Sequence, residues 1–561
     1  MVMLLLVAGC RKDSTIDGML IVSESMRGDS KAMVDDLSLN WVAGDSIRIN
    51  GKDMNIVVNG ENQAYIENVP TSSVYRALYP ATLNDSASLD DDSVTVTIPD
   101  TYTYTVNDGK QVLDVPMAAR STDGSRLYFK HLTAAITVEI TNYYGFAVLV
   151  DSVVVTSSDA GTPYQISGVK NIDLADANMG ITLNSSPTVA QKKVKMLFGD
   201  GAHAMKINQG ATKKVQVPVL PVGSGNKFSI SVTVHKDGDA AVTKTFTKTQ
   251  GTGGAMGRAK MAYADHTVGF LFSIGNNKRV IISQGNLQYQ ASTGTWRFAE
   301  HQYDYIGATA GNTTAANRKT QSDWIDLFGW GTSGWNNGNT YHMPYDVNNE
   351  GEASGYGYGP TENGAYTYSL TGTKKEADWG VHNSINNGGN NTGMWRTLTA
   401  GTGSEIDTLF KYRTTSTSNM PTGTNNGQAR FIKATVGGRN GIIIFPDNYV
   451  HPAGIYVSGT NRYYNATGNT YSFNAFQLGV QDWPQMEASG AVFLPAAGQR
   501  KNTAVYNAST EAWYWSSTSS PIGLGAGKAY AIKFLDGSSS SLSESALRYY
   551  GCSVRLVMDV R

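Results

Sequence analysis

A chain of 561 residues exceeds the ~100–200 residues of a typical domain, so two or three separate cores are expected. A net charge of −1 gives no electrostatic preference for nucleic acid or an anionic membrane surface. Charged residues make up 16% of the chain, against roughly 25% in average soluble domains, and 60 glycines, 30 tyrosines and frequent Ser, Thr and Asn fill the difference.

The chain opens on an apolar run, residues 1–9, that ends in Val7-Ala8-Gly9-Cys10. Small residues before a cysteine give a peptidase access, and the new N-terminal thiol can be acylated. The pattern resembles a bacterial lipobox, which implies lipidation at Cys10. The run is shorter than the ~18–20 residues of a membrane span and lacks a positive flank, so a longer start is expected. Cys10 and Cys552 are the two cysteines, too few for a disulfide framework. Residues 18–24, Gly-Met-Leu-Ile-Val-Ser-Glu, read as a strand. The polar segment Arg27-Gly28-Asp29-Ser30 that follows suits proteolysis after Arg27. Losing that strand would leave an apolar-lined edge for another chain to complete.

Residues 47–49, 94–98, 135–140, 215–219 and 228–234 alternate apolar and polar with period two, the mark of half-buried strands. Asp237-Gly238 between residues 228–234 and 242–246 supplies the positive φ of a tight hairpin turn. Many short strands with little helical periodicity argue for sandwiches, and a break near residues 121–125 divides them in two. The glycine-rich residues 251–257 read as a linker. Only Trp41 precedes residue 266, and the other nine tryptophans follow it, so a differently built region is expected there.

In that region residues 322–328 read as a short capped helix, and residues 404–410 as another, with Ser404 as cap and early carboxylates at its positive end. Strands are expected at 280–282, 441–445, 491–494 and 553–557, joined by long loops, which tend to be functional. In the tail Trp513 and Trp515 face one way on a strand and Tyr514 the other, one side core and one presented. A region with its own core is expected to fold as the separate fragment 269–561.

Eight scattered histidines show no metal-ligand spacing, and no zincin, CxxC, phosphate-loop or nucleophile-elbow pattern occurs. Asp90-Asp91-Asp92 and Pro446-Asp447-Asn448 could offer oxygens to a hard cation, with solvated loop acids as the alternative. No pair of carboxylates is singled out. Catalytic residues, metal and cofactor are therefore assigned as none.

Two resemblances complete the reading. Trp41-Val42-Ala43-Gly44-Asp45-Ser46-Ile47, Tyr75-Arg76-Ala77-Leu78-Tyr79-Pro80 and Phe129-Lys130-His131-Leu132-Thr133-Ala134-Ala135-Ile136 resemble Bacteroidales fimbrillin-like, type V pilus proteins. The match covers about residues 15–263. It implies two transthyretin-like sandwiches, cleavage after an N-terminal arginine, and a neighbouring pilin subunit donating a strand. Gln284-Gly285-Asn286-Leu287, Asp326-Leu327-Phe328-Gly329-Trp330-Gly331, Trp395-Arg396-Thr397-Leu398, Phe493-Leu494-Pro495-Ala496-Ala497-Gly498, Tyr514-Trp515-Ser516-Ser517 and Ser553-Val554-Arg555-Leu556-Val557 resemble a second family. These are C-type-lectin-like domains of formylglycine-generating-enzyme type, as in major paralogous and diversity-generating-retroelement proteins.

That second resemblance implies a frame of Trp515, Tyr530, Phe534, Arg548 and Val554. It implies ligand-facing or diversifiable positions at Ser519, Ser520, Ile522, Leu524, Asp536, Ser538, Ser540, Ser543, Ser545, Tyr549 and Tyr550. The oxidising enzymes of that fold use a cysteine pair, and the lone Cys552 of this region counts against catalysis; the Glu-Pro-Asn and Gln-Pro-Asp motifs of calcium-dependent lectins do not occur. The expected fold is a mainly β first half with two β-sandwich pilin domains, then an α+β, loop-rich C-type-lectin-like domain. The expected division is 1–27 signal and removable strand, 28–122 first sandwich, 123–265 second sandwich and 266–561 lectin-like domain. The expected function is a surface adhesin at a pilus tip, anchored by lipid at the outer membrane, binding a protein or glycan ligand and no nucleic acid. The alternatives are a structural fimbrial or matrix lipoprotein, or a surface enzyme.

Overall fold

The computed structural model describes residues 15–16, 19–23, 27–28, 41, 45–58, 63–83, 89–107, 109–158, 163–176, 187–313, 322–335, 344, 368–412, 431–455, 472–501, 503–520 and 527–560. Cys10, Ile522 and Leu524 lie outside them. The molecule is mainly β; among the described residues its α-helices, all short, lie in the second half, and single 3-10 turns occur in both. Among the described residues no helix is long and apolar enough to cross a membrane.

Alternation builds the first sandwich. In Ser46–Ile49, Ile47 and Ile49 are buried while Arg48 turns out to pair with Asp53 at 2.6 Å. Eight strands follow one path: Lys52–Asn55, Ser46–Ile49, Tyr75–Tyr79, Met117–Ser121, Arg126–His131, Met19–Ser23, Gln63–Ile66 and Val57–Val58. Their core holds Met19, Ile21, Leu127 and Phe129, with Trp41 edge-on to Tyr79 at 5.1 Å and to Phe129 at 5.5 Å. Residues 122–125 form the hairpin turn between two neighbouring strands of this sheet, so the break there is internal to the first sandwich. Strands Ser93–Ile98 and Thr101–Thr103 leave it to pair with Gly168–Asp173 and Lys193–Leu197.

The second sandwich packs a six-stranded sheet against a four-stranded one. The first contains Val148–Ser157, Phe228–Lys236 and Asp239–Thr249; the second is Thr212–Val219, Ala134–Tyr143, Lys260–Gly269 and Arg27–Gly28. The expected hairpin is present, with Lys236 opposite Asp239 across Asp237-Gly238. Residues 251–257 are not a linker. They arch between two strands of this same sandwich, where Met256 and Val222 exchange backbone hydrogen bonds of 2.8 and 3.0 Å. Strand Lys260–Gly269 runs on past residues 265 and 266 almost directly into Phe272–Gly275 of the third region.

That third region, the head, closes on itself: its early strand Lys278–Ile282 pairs with the last strand, Val557–Val560. The expected strand at 553–557 thus begins only at Val557, and residues 551–553 make single bridges to Arg500, Phe328 and Tyr514. Ser404 caps Glu405–Asp407 by accepting from the Asp407 N–H at 3.3 Å, as expected. Residues 322–328 are not helical. Trp324–Ile325 is a short strand pairing with Leu287–Gln290, and the Asp326 carboxylate accepts from the Ile306 N–H and Asn312 Nδ2, both at 2.7 Å.

Candidate ligand-binding surface

The tail forms a three-stranded antiparallel sheet of Glu511–Ser519, Lys528–Leu535 and Ser541–Leu547, with the last at the edge. Trp513, Tyr514 and Trp515 are 7%, 2% and 3% exposed, so neither face of their strand is presented to solvent. Trp513 and Trp515 enter a core with Trp330, Trp379 and Trp395, while Tyr514 enters a second core with Phe410, Phe431 and Phe534. The expectation of one presented face fails because residues distant in sequence cover both sides. The polar atoms of the three rings are satisfied: Trp515 Nε1 donates to the Phe328 carbonyl at 2.6 Å and the Tyr514 hydroxyl to Pro495 at 2.9 Å. Trp513 Nε1 donates to Glu511 at 2.6 Å.

The expected frame is largely internal. Trp515, Phe534, Arg548 and Val554 are buried and Tyr530 half-buried. The Arg548 guanidinium lies 4.4 Å over the Trp330 ring and donates to the Lys528 carbonyl at 3.1 Å. Cys552 is fully buried and its thiol is pushed up to about 12 by desolvation, so it is not a nucleophile at neutral pH.

The expected ligand-facing residues fall into three groups. Ser519 and Ser520 are buried; the Ser519 N–H donates to Ser369 Oγ at 3.1 Å, and the Ser520 and Ser545 hydroxyls lie 2.8 Å apart. Along the edge strand Ser543 and Ser545 are half-buried, Ser543 Oγ accepting from the Gly401 N–H at 3.2 Å. At the turn that starts this strand Asp536 and Ser538 are exposed and Ser540 half-buried. Asp536 accepts from the Phe473 N–H at 2.8 Å and from Ser472 Oγ at 2.5 Å. Lys433 Nζ donates to the Ser538 and Leu535 carbonyls at 2.7 and 2.5 Å, and burial lowers this ammonium to about 8.

Tyr549 and Tyr550 lie beyond the far end of the edge strand, about 20 Å from the turn at the usual rise per residue. Their rings meet edge-on at 5.0 Å, and both are half-buried. The hairpin of Gln499–Lys501 and Ala504–Tyr506 lies beside them, held by Arg500 and Gly551 backbone hydrogen bonds of 2.8 and 2.9 Å. Gly498 seats this hairpin: its φ is +76°, and a Cβ there would stand 2.3 Å from the Tyr506 carbonyl oxygen. Lys501 and Tyr506 are surface residues that the sequence reading missed. The signal that points to them is position, directly after the frame motif ending in Gly498.

Two of the acids considered for a cation, Asp92 and Asp447, are engaged within the fold. Asp92 accepts from Arg76 and Arg120 at 2.7 and 2.8 Å, and these contacts, Arg120 foremost, hold its carboxyl below the usual range. Asp447 accepts from Ser273 Oγ at 2.5 Å. Among the described residues no group of three His, Cys, Asp or Glu side chains could hold a metal ion. Arg27 belongs to another sheet than the tail, in the short strand Arg27–Gly28 opposite Lys260–Met261.

No family model matches the chain, and no curated protein matches it. Among solved structures it is similar to a "putative cell adhesion protein" from Bacteroides ovatus, 12% identical, covering 44% of this chain and 91% of that one at a TM-score of 0.27. A second "putative cell adhesion protein", from Bacteroides uniformis, is 14% identical over 46% of this chain and 94% of its own, at a TM-score of 0.24. A fimbrial assembly protein from Parabacteroides distasonis is 10% identical, covering 41% and 98%, at 0.15. Likeness at these scores assigns no function.

Proposed function

We propose that this chain is a cell-surface adhesin that captures its ligand through the head and joins a fimbrial assembly through its two sandwiches. The observation that carries the first half is the contrast within the tail. A sheet buried on both faces ends in a polar edge and two tyrosines that reach solvent. A rigid frame with half-exposed Ser and Tyr is the composition of an adaptable recognition surface. The binding face comprises Ser543, Ser545, Asp536, Ser538, Ser540, Tyr549 and Tyr550, extended by Ile522 and Leu524; Ser519 and Ser520 back it from within.

Assembly is supported by the placement of Met19–Ser23. It lies inside the first sheet, parallel to Arg126–His131 and antiparallel to Gln63–Ile66, with Met19 and Ile21 fully buried. Removing it by cleavage at Arg27 would expose two strand edges and an apolar trough, the acceptor that a donated pilin strand requires. An apolar cleft of about 340 Å³ in the second sandwich, lined by Ile136, Phe228, Ile230, Met256 and Met261, continues along the strand that Arg27–Gly28 pairs with. Lipidation at Cys10 would hold the precursor at the outer membrane, and a place at the pilus tip completes the reading.

Glycan and protein array screening of the full chain tests it. A reproducible ligand whose binding is lost on replacing the edge residues supports an adhesin. Uniform failure across both arrays, with assembly intact, would leave a structural subunit in its place. Mass spectrometry of the N-terminal peptide of assembled material tests the cleavage: an N-terminus at Gly28 supports it, and a lipidated Cys10 terminus rules it out.

A further inference from the structure

Resting on the reading of the tail as the binding face, we infer that its ligand is an acidic saccharide, a sugar ring carrying a carboxylate. The receiving residues are Tyr506, Lys501 and Tyr550. The Lys501 ammonium stands between two aromatic rings, 5.5 Å from the Tyr506 centroid and 4.9 Å from that of Tyr550. Tyr549 continues the row, edge-on to Tyr550. Tyr506 is 48% exposed, one of the more exposed large side chains among the described residues.

The backbone that carries this row is held in place. Lys501 follows Arg500, and Tyr550 precedes Gly551; those two neighbours exchange both backbone hydrogen bonds. Gly498 then fixes where the returning Tyr506 lies. The backbone beneath the three side chains is therefore preformed, and a ligand loses less free energy in ordering them.

Each class of ligand meets this chemistry differently. Among the described residues no carboxylate pairs with Lys501; its charge rests on π faces. Such an ammonium is attracted to the rings but keeps N–H donors for an anion. A purely apolar ligand would cover that charge without pairing it, which is costly. A polyanion such as nucleic acid needs a run of cations, and the chain as a whole carries a net charge of −1. A pyranose offers apolar C–H faces to the tyrosine rings and hydroxyls to their phenols. A ring carboxylate adds the one anion that Lys501 can pair with in a charge-assisted hydrogen bond.

The test is isothermal titration calorimetry of the full chain against trigalacturonate and 3′-sialyllactose. Methyl-esterified trigalacturonate and lactose serve as the uncharged counterparts. At least one acid should bind about tenfold more tightly than its counterpart, with a preference that fades at high salt. Lys501→Gln should reduce the acid to the affinity of its neutral partner, Lys501→Arg should retain the preference, and Tyr506→Ala should weaken both forms. Thermal melts of each variant establish that it is folded. Equal binding of acid and neutral forms, no binding of either acid, or an unchanged preference in Lys501→Gln overturns the inference. Attachment of the same proteins to intact cells separates the two claims. If replacing Tyr549 and Tyr550 abolishes attachment while neither acid binds, the binding face stands and the acidic sugar falls. If that replacement leaves attachment intact, both fall.

Discussion

Asp326 and Asp378 are fully buried carboxyls in the head, and burial lifts each to about 6 despite the hydrogen bonds they accept. Asp378 caps Trp379–His382 through the Gly380 N–H and also accepts from the Thr397 N–H at 2.8 Å and the Thr397 hydroxyl. An unfolded aspartate titrates near 3.9, so the folded protein holds these protons more tightly than the unfolded chain does. The stability they contribute is fully present below about pH 4 and is lost as pH rises through about 6. Asp53, Asp92 and Asp265 behave oppositely: ion pairing lowers each, and their contribution disappears only as pH falls below about 4. The melting temperature of wild type relative to Asp326→Asn should therefore climb as pH is lowered from 7 to 5. A difference that is flat over this range would mean that Asp326 is ionised throughout. Neither group was legible as a perturbed acid, because the burial that shifts both comes from tertiary packing.

At the scale of elements, the strand Glu511–Ser519 shows what period-two reading can and cannot deliver. Alternation places Trp513 and Trp515 on one side and Tyr514 on the other. It does not say how many layers cover the strand. Here Phe410 and Phe431, about a hundred residues upstream, supply the second cover. Trp515→Ala should destabilise the head by about 3–5 kcal/mol, as expected for emptying a packed aromatic site. Ser543→Ala, at the edge, should change stability by less than about 1 kcal/mol. Urea denaturation measures both, and equal effects would remove the distinction between frame and edge on which the binding face depends. The Asp237-Gly238 hairpin and the Ser404 cap were legible because their signals are local backbone and side-chain chemistry. Residues 322–328 were misread because Trp324–Ile325 pairs with Leu287–Gln290, a partner distant in sequence. Residues 251–257 were misread because glycine content is the same in a linker and in a loop arching over a sandwich.

Across the whole molecule, the head and the second sandwich share an interface whose parts cannot be separated cleanly. Tyr144 stacks on Phe146 at 4.7 Å, meets Phe246 and Phe270 edge-on, and donates its hydroxyl to the Ala488 carbonyl at 2.5 Å. Lys236 pairs with the buried Glu487 at 3.0 Å, and Gln302 donates to the same carboxylate at 2.9 Å. Gly145 lets the head approach so closely that a Cβ there would stand 2.0 Å from the Ile282 carbonyl oxygen. Truncation at residue 269 would remove Lys236 together with Tyr144 and Phe246, leaving the apolar surface around Phe270 uncovered. The fragment 269–561 should therefore aggregate, or melt well below the full chain, in size-exclusion and thermal measurements. A monomeric fragment melting with the full chain would show the head to be independent. Two differently built halves were legible from the distribution of tryptophan; their close joining through Lys260–Gly269 and Phe272–Gly275 was not, since it depends on which faces meet.

The most direct measurement is ligand attachment by the full chain carrying Tyr549→Ala and Tyr550→Ala, with melting temperature recorded on the same samples. Attachment should be lost while the melting temperature stays within about 4 °C of wild type, roughly the shift of 1 kcal/mol in a large domain. Unchanged attachment, or a melting temperature that collapses with it, would show these tyrosines to be framework and the tail to be no recognition surface.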